Sequence, residues 1–296
     1  MSANHAAFNL IFRFVENYIS PIAGRISSQR HVMAIRDGFI SAMPFMIVGS
    51  FLLVFAYPPF SPDTTWGFAR AWLDLAKEFE GRILTPFDMT MGIMSIYICA
   101  AISYNLGKHY EKSNQLDPFM CAMLSIMAFL LIAAPKTNGT LPVDSLGGTG
   151  IFTAILVAIY CVEMMRFLKA HNIGIRLPDQ VPPMIKNSFD LLIPVLVVVL
   201  TLYPLSLFIQ HHFDMLIPQA IMAIFKPLVS AADSLPAILL AVLIGHLLWF
   251  AGIHGAAIVS GMLQMFWLTN LGMNQQALAQ GAPCLLYTSD AADDKA

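Results

Sequence analysis

Two histidines, His246 and His254, lie in an apolar stretch where a titratable ring could do chemistry. Residues 234–289 contain no Asp, Glu, Lys or Arg, and Gly252 and Gly255 flank the second histidine. A neutral imidazole donates one hydrogen bond and accepts another, and its pKa of about 6.5 lets it take up a proton. Sugar hydroxyls need this two-way hydrogen bonding, so the pattern suits binding or proton transfer on a hydroxylated ligand.

The spacing of these residues permits two local structures. Eight residues is slightly more than two helical turns, which would place both rings on one helix face. Glycine weakens a helix and permits close approach of the backbone to a ligand, so Gly252 and Gly255 favour a broken or re-entrant segment. Transporters place substrate at such breaks, which survive at membrane depth only in protein or beside a wet cavity. The alternative is a core histidine bonded to a backbone carbonyl, which stays open for His254 and is favoured for His246.

Four acidic residues lie near the ends of apolar runs: Asp37, Asp88, Glu163 and Asp190. Interfacial water lowers the cost of a charge at such positions, so a structural role is favoured for each. Two nearby segments have the sequence of shaped loops. Residues 86–97 open an apolar run with polar side chains and glycine, and residues 176–189 contain three prolines that prevent a helix. Helix entry and capping is the alternative for both segments.

The cysteines and the net charge point to no cofactor. Cys99, Cys121 and Cys161 lie singly in different apolar runs, without a C-x-x-C pair or histidines at metal-ligand spacing. We therefore predict no metal site, no disulfide and no cofactor, and interpret these cysteines as small apolar residues. The net charge of −2 and the absence of a basic cluster give no indication of nucleic-acid binding.

The composition indicates a membrane protein with several helical spans. Hydrophobic residues make up 57% of the chain and charged residues only 11%, whereas about a quarter of residues are charged in soluble domains. A helix needs roughly 20 apolar residues to cross the hydrocarbon core. Five uncharged runs have about this length: 38–62, 89–107, 118–135, 145–162 and 191–210.

The distribution of basic residues favours a cytoplasmic N-terminus. With that orientation the five spans place ten Lys and Arg residues inside and five outside. Residues 1–30 have apolar side chains at helical spacing, which predicts an amphipathic helix on the cytoplasmic membrane surface. A soluble helix packed on a partner is the alternative. Residues 68–79 show the same spacing, which predicts a helix lying flat in the outer interface.

The last residues, "PCLLYTSDAADDKA" at 283–296, differ in character from the rest of the chain. They are acidic and lack any periodicity. The segment resembles the translation of a transposase adaptor used in making sequencing libraries. We therefore predict a non-native tail and a natural protein that continues differently past residue 282; a natural acidic tail is the alternative.

Four motifs in order along the chain carry a family resemblance: "AIRDGFISAMPFMIVGS" at 34–50, "GIMSIY" at 92–97, "LPDQVPPMIKNSF" at 177–189 and "WFAGIHGA" at 249–256. Together they resemble the membrane IIC component of a bacterial phosphoenolpyruvate-dependent sugar phosphotransferase system, of the lactose, cellobiose and diacetylchitobiose family. The resemblance covers residues 1–281.

The resemblance implies an all-α polytopic membrane protein in the bacterial plasma membrane that forms a homodimer. Residues 31–212 would form the five-span interface domain, and residues 213–282 an incomplete sugar-transport domain with the broken or re-entrant segment. The implied partners are a separate IIB protein and, through it, IIA.

The implied reaction is uptake of a disaccharide coupled to phosphorylation of its 6-hydroxyl by a phosphocysteine of IIB. His254 matches the family's histidine at the reacting hydroxyl. The family's glutamate, in an Asn-Glu-Pro motif, has no counterpart here, so which residue is the catalytic base stays open. The expected substrate-binding residues are His254, Trp249, Gly252, Gly255, Asp88 and Asn187.

Two other functions remain alternatives on the sequence. One is a secondary sugar carrier that moves unmodified sugar, and the other is a dimeric membrane scaffold that does not transport. A neighbouring gene for a small IIB or IIA protein would favour the phosphotransferase function. Because the glutamate region is missing, we expect the chain as given to be inactive in transport and phosphorylation.

Overall fold

The described part of the chain is entirely helical apart from turns and short loops. A computed structural model describes residues 28–61, 63–135, 141–175, 189–232, 234–250 and 255–279, with a few isolated positions elsewhere. Its α-helices are α1 Arg30–Ala56, α2 Gly67–Phe87, α3 Met94–Asn114, α4 Pro118–Ala133, α5 Ile151–Ala170, α6 Leu192–Phe213, α7 Ile217–Ala232, α8 Leu235–Phe250 and α9 Gly255–Ala279. The all-α prediction is confirmed. The predicted surface helix, most of the proline-rich segment and the tail lie outside the described residues.

The core is formed by α1, α3, α4 and α5. Phe39, Ile102 and Phe129 are fully buried in it. A Cβ atom at Gly38 would lie 2.9 Å from the Ile102 amide nitrogen, so glycine is what lets α1 and α3 cross at this distance. The same core contains three buried free cysteines: Cys99, Cys121 and Cys161.

Four helical stretches are long and apolar enough to cross a membrane: Arg30–Ala56, Gly67–Asn114, Gly148–Ala170 and Leu192–Phe213. They account for four of the five predicted spans. The third predicted span contains α4, which has only 16 residues, about 24 Å at 1.5 Å per residue. The five-span arrangement is therefore not confirmed, although the polytopic class is.

The helix between Gly67 and Asn114 is interrupted at its middle. Pro86, which has no amide hydrogen, lies one residue before the end of α2, and a π-helical turn follows at Asp88–Gly92. The amide of Ser95 then donates to the carbonyl of Leu146 at 2.9 Å instead of to a carbonyl of its own helix. The loop before α5 thus satisfies the backbone that the interruption leaves free, as membrane-embedded backbone requires.

Helices α8 and α9 pack side by side in opposite directions. A Cβ atom at Gly245 of α8 would lie 3.8 Å from Val259 of α9. Ile238, earlier in α8, and Trp267, later in α9, line one cavity, as expected for two antiparallel helices. Helix α9 also contacts the core, where a Cβ atom at Gly148 would lie 3.1 Å from the Gly272 Cα atom. This glycine contact fixes the hairpin against the short 3₁₀ turn Gly148–Gly150.

Candidate functional site

The predicted break around the glycine-flanked histidine falls between two helices. Within the described residues α8 ends at Phe250 and α9 begins at Gly255, and the predicted break of the helix stays a prediction. Gly252 and His254 lie in the connection, residues 251–254, outside the described residues. Asn187 also lies outside them. The structure therefore places Trp249, Gly255 and Asp88 among the six expected site residues.

Trp249 lines a groove between α8 and α9 that is almost wholly apolar. The groove has a volume of about 240 Å³, and its larger side chains are Ile238, Val242, His246, Trp249 and Trp267. Trp249 is 54% exposed and Trp267 is 37% exposed. Trp267 had no sequence signal, because an isolated aromatic residue in an apolar run is ordinary for a membrane helix. The pairing of the two helices is what brings it to the groove.

His246 is the side chain of this groove that can accept a hydrogen bond. Its Nδ1 atom lies 2.8 Å from the carbonyl oxygen of Val242, one turn earlier in α8. This is the backbone contact that the structural alternative predicted, but the ring is exposed rather than part of the core. A carbonyl oxygen only accepts, so Nδ1 donates and Nε2 of the neutral ring is an acceptor.

Asp88 opens the π-helical turn between α2 and α3. The turn packs against α1, where a Cβ atom at Gly49 would lie 2.7 Å from Thr90 Oγ1, and it also touches α9. The carboxylate of Asp88 is exposed and forms no ion pair within the described residues. It does not line the groove that contains Trp249. Asp88 therefore belongs to the junction of the core with α9.

The other three acidic candidates each have a cationic partner. Arg36 contacts Asp37 at 2.8 Å, and Lys169 contacts Asp190 at 3.1 Å. Glu163 forms the largest cluster, described below. These pairs support the structural role that the sequence favoured for all three residues. Asp88 differs from them, because it has no cationic partner within the described residues.

The Glu163 cluster joins three helices at the end of the core opposite to the π-helical turn. Its carboxylate accepts hydrogen bonds from His31 at 2.9 Å, from the Tyr110 hydroxyl at 2.8 Å and from Arg166 Nε at 2.7 Å. Gln29 donates to the second ring nitrogen of His31 at 2.9 Å. His31 and Tyr110 were not identified from the sequence. The cluster consists of polar groups that satisfy one another, which is typical of structural networks.

At the opposite end of the core, the corner between α1 and α2 holds a tyrosine paired with a carboxylate. The Tyr57 hydroxyl donates to Glu80 at 2.9 Å, and Trp72 donates its indole N–H to the carbonyl of Phe55 at 3.2 Å. Burial and the hydrogen bond to Glu80 raise the pKa of Tyr57 above its ordinary value. These bonds hold α2 against the end of α1.

The long apolar helices define a polytopic membrane protein. A family model described as "Phosphotransferase system, EIIC" matches residues 36–293. The chain belongs to this family.

Relatives and a solved structure agree with the family assignment. The chain is 33% identical over 285 residues to the cellobiose-specific EIIC component of Geobacillus stearothermophilus, covering 90% of this chain and 61% of the relative. It is 32% identical over 267 residues to the lactose-specific EIICB component of Streptococcus mutans, covering 88% and 45%.

The fold is similar to the crystal structure of the transporter ChbC, the IIC component of an N,N'-diacetylchitobiose-specific phosphotransferase system. The TM-score is 0.78 at 32% sequence identity, with 92% of this chain and 64% of that chain covered. The chain thus spans less than two thirds of the length of these proteins.

Proposed function

We propose that this chain is the sugar-translocating IIC subunit of a phosphotransferase system for a disaccharide of the cellobiose, chitobiose and lactose class. The observation that carries the proposal is the family match over residues 36–293, supported by the similarity to the ChbC fold. The sugar class follows from the names of the relatives, which are specific for cellobiose, lactose and N,N'-diacetylchitobiose.

The proposed reaction transfers a phosphoryl group from a IIB phosphocysteine to the 6-hydroxyl of the sugar. The sulfur–phosphorus bond breaks, an oxygen–phosphorus bond forms, the cysteine leaves as a thiolate, and a base accepts the hydroxyl proton. His254 orients the hydroxyl or is itself the base, and both assignments remain open. Trp249, Gly252 and Gly255 surround the same segment of the chain and would contact the sugar.

Asp88 and Asn187 are the polar members of the proposed site outside this segment. Asp88 is supported by its exposed carboxylate, which no described cation neutralises. A sugar hydroxyl donating to this carboxylate would supply a partner. Asn187 precedes α6 in the sequence and is proposed from the resemblance alone.

The proposed partners are a IIB protein, IIA through it, and a second copy of the chain in the plasma membrane. A relative whose name combines the two components, the lactose-specific EIICB component, supports the IIB partner. The N-terminus is proposed to be cytoplasmic, because the end of the core with the Glu163 cluster also carries Arg30, Arg166 and Lys169 and basic residues favour that side. The spans of residues 31–212 are proposed to form the dimer interface.

The first test is sugar phosphorylation by membranes containing the complete product of the source gene, supplied with phosphorylated IIB. We expect cellobiose, lactose or N,N'-diacetylchitobiose to yield a 6-phosphate, and His254→Ala to lower the rate by about 100-fold or more. His171→Gln is the matched control, because His171 lies at the end of α5 and bonds a carbonyl of its own helix at 2.9 Å. Accumulation of unmodified sugar would contradict the proposal and favour a secondary carrier.

The 296-residue chain should be tested in parallel. It contains no Asn-Glu-Pro sequence, and we expect it to give no sugar phosphate. The prediction of a non-native segment at 283–296 is checked by the source gene itself. A gene that continues in frame past codon 282 without the adaptor-like sequence would support it, whereas a gene that itself encodes residues 283–296 would contradict it. Sugar phosphate formed by the 296 residues would overturn the expected inactivity.

A further inference from the structure

We propose that the groove between α8 and α9 is a subsite for one pyranose ring of the sugar, with His246 as hydrogen-bond acceptor and Trp267 as a second aromatic wall beside Trp249. This inference rests on the proposed function, because it takes a sugar as the ligand. It assigns roles to two residues, His246 and Trp267, that lie outside the glycine-flanked motif.

The acceptor is oriented by the helix itself. The contact of Nδ1 with the Val242 carbonyl, 2.8 Å long, requires the proton on Nδ1, so the neutral ring keeps Nε2 as a lone-pair acceptor. His246 lines the groove and its ring is exposed. A sugar hydroxyl can therefore donate to Nε2 without any change in protonation of the ring.

The walls of the groove suit the apolar face of a sugar ring. One face of a pyranose presents C–H groups, and an indole ring offers a large flat surface for them, with a polar edge left for water or hydroxyls. Trp249 and Trp267 line the same groove, and no charged side chain does. A neutral ligand with alternating C–H and O–H groups matches this lining, whereas a charged ligand would leave its charge unpaired.

The size of the groove fits one ring. Its volume of about 240 Å³ lies below the roughly 300–1,000 Å³ of sites that enclose drug-sized ligands. Gly245 lines the groove and leaves room in it because glycine has no side chain. A Cβ atom at this position would occupy part of that room and would lie 3.8 Å from Val259, an ordinary contact distance. A lipid acyl chain could also fill an apolar groove, but it would make no use of the oriented Nε2 acceptor.

The experiment measures equilibrium binding of radiolabelled cellobiose to the complete gene product in lipid nanodiscs, with lactose and N,N'-diacetylchitobiose as competitors. His246→Asn removes the acceptor from the position of Nε2, whereas His246→Gln places an amide oxygen near it. We expect the Asn variant to bind about 3- to 10-fold more weakly, as loss of one neutral hydrogen bond predicts, and the Gln variant to retain most of the affinity.

Gly245→Ala provides a second, independent variant. The added methyl group narrows the groove without a clash and favours the helix, so we expect weaker binding with an unchanged or higher thermal midpoint. Wild-type binding that neither the Asn variant nor Gly245→Ala weakens would overturn this inference and leave the proposed function intact. If the wild type binds none of the three sugars, the proposed sugar class fails, and the inference fails with it.

Discussion

The Glu163 cluster and the α8–α9 groove use the same kinds of side chain in opposite ways. In the cluster, both nitrogens of His31 have partners, Gln29 and Glu163. In the groove, His246 bonds its own helix through one nitrogen, and the aromatic rings beside it are exposed. A network whose members satisfy each other stabilises the fold, whereas a polar atom left free beside apolar walls is available to a ligand.

This comparison predicts the largest loss of stability at Glu163. Glu163→Ala leaves His31, Tyr110 and Arg166 without their shared acceptor, and we expect the free energy of unfolding to fall by about 2–3 kcal/mol. Thermal unfolding in detergent measures the change. Glu111→Ala is the control, because Glu111 is exposed on α3 and makes no ion pair within the described residues. Equal midpoints for the two variants would contradict a structural role for the cluster.

The next largest loss of stability is expected where α9 packs against the turn that precedes α5. A Cβ atom at Gly272 would lie 2.9 Å from the Gly148 Cα atom, and backbone cannot rotate away as a flexible side chain can. We expect Gly272→Ala to cost about 2 kcal/mol, in the range of overpacked core substitutions. Gly81→Ala is matched to it, since nothing lies within 4 Å of a Cβ atom there, and should be neutral or stabilising. A neutral Gly272→Ala would show that α9 is not held as closely as described.

Removing a single bond from the cluster should have a smaller effect. Tyr110→Phe keeps the ring, over which the Arg166 guanidinium lies at 4.9 Å, but loses the hydroxyl that donates to Glu163. We expect a loss of about 1 kcal/mol in the free energy of unfolding. In a Glu163→Ala background the same substitution should cost less, because its acceptor is already gone. An undiminished cost in that background would assign the effect to ring packing.

The sequence predicts the helices of these two regions better than the contacts between them. Uncharged runs located four long apolar helices, because the composition of a run is a local feature. His31 precedes Glu163 by 132 residues, and the Ser95 amide bonds a carbonyl in the loop before α5. Such pairs depend on how helices pack, which no local periodicity specifies. Trp267 reaches the groove for the same reason.

The smallest effect on stability is expected at Asp88, where the comparison separates structure from function most clearly. Asp88 is exposed and has no cationic partner in the described part of the chain, so Asp88→Asn should change the free energy of unfolding by less than about 0.5 kcal/mol. If the carboxylate accepts a sugar hydroxyl, the neutral amide will weaken sugar binding while stability is kept. A thermal midpoint measured beside the cellobiose affinity distinguishes the outcomes. Unchanged sugar affinity would contradict a role of Asp88 in binding and would favour a structural role, as for Asp37, Glu163 and Asp190. A large loss of stability would show that the π-helical turn depends on the charge of Asp88.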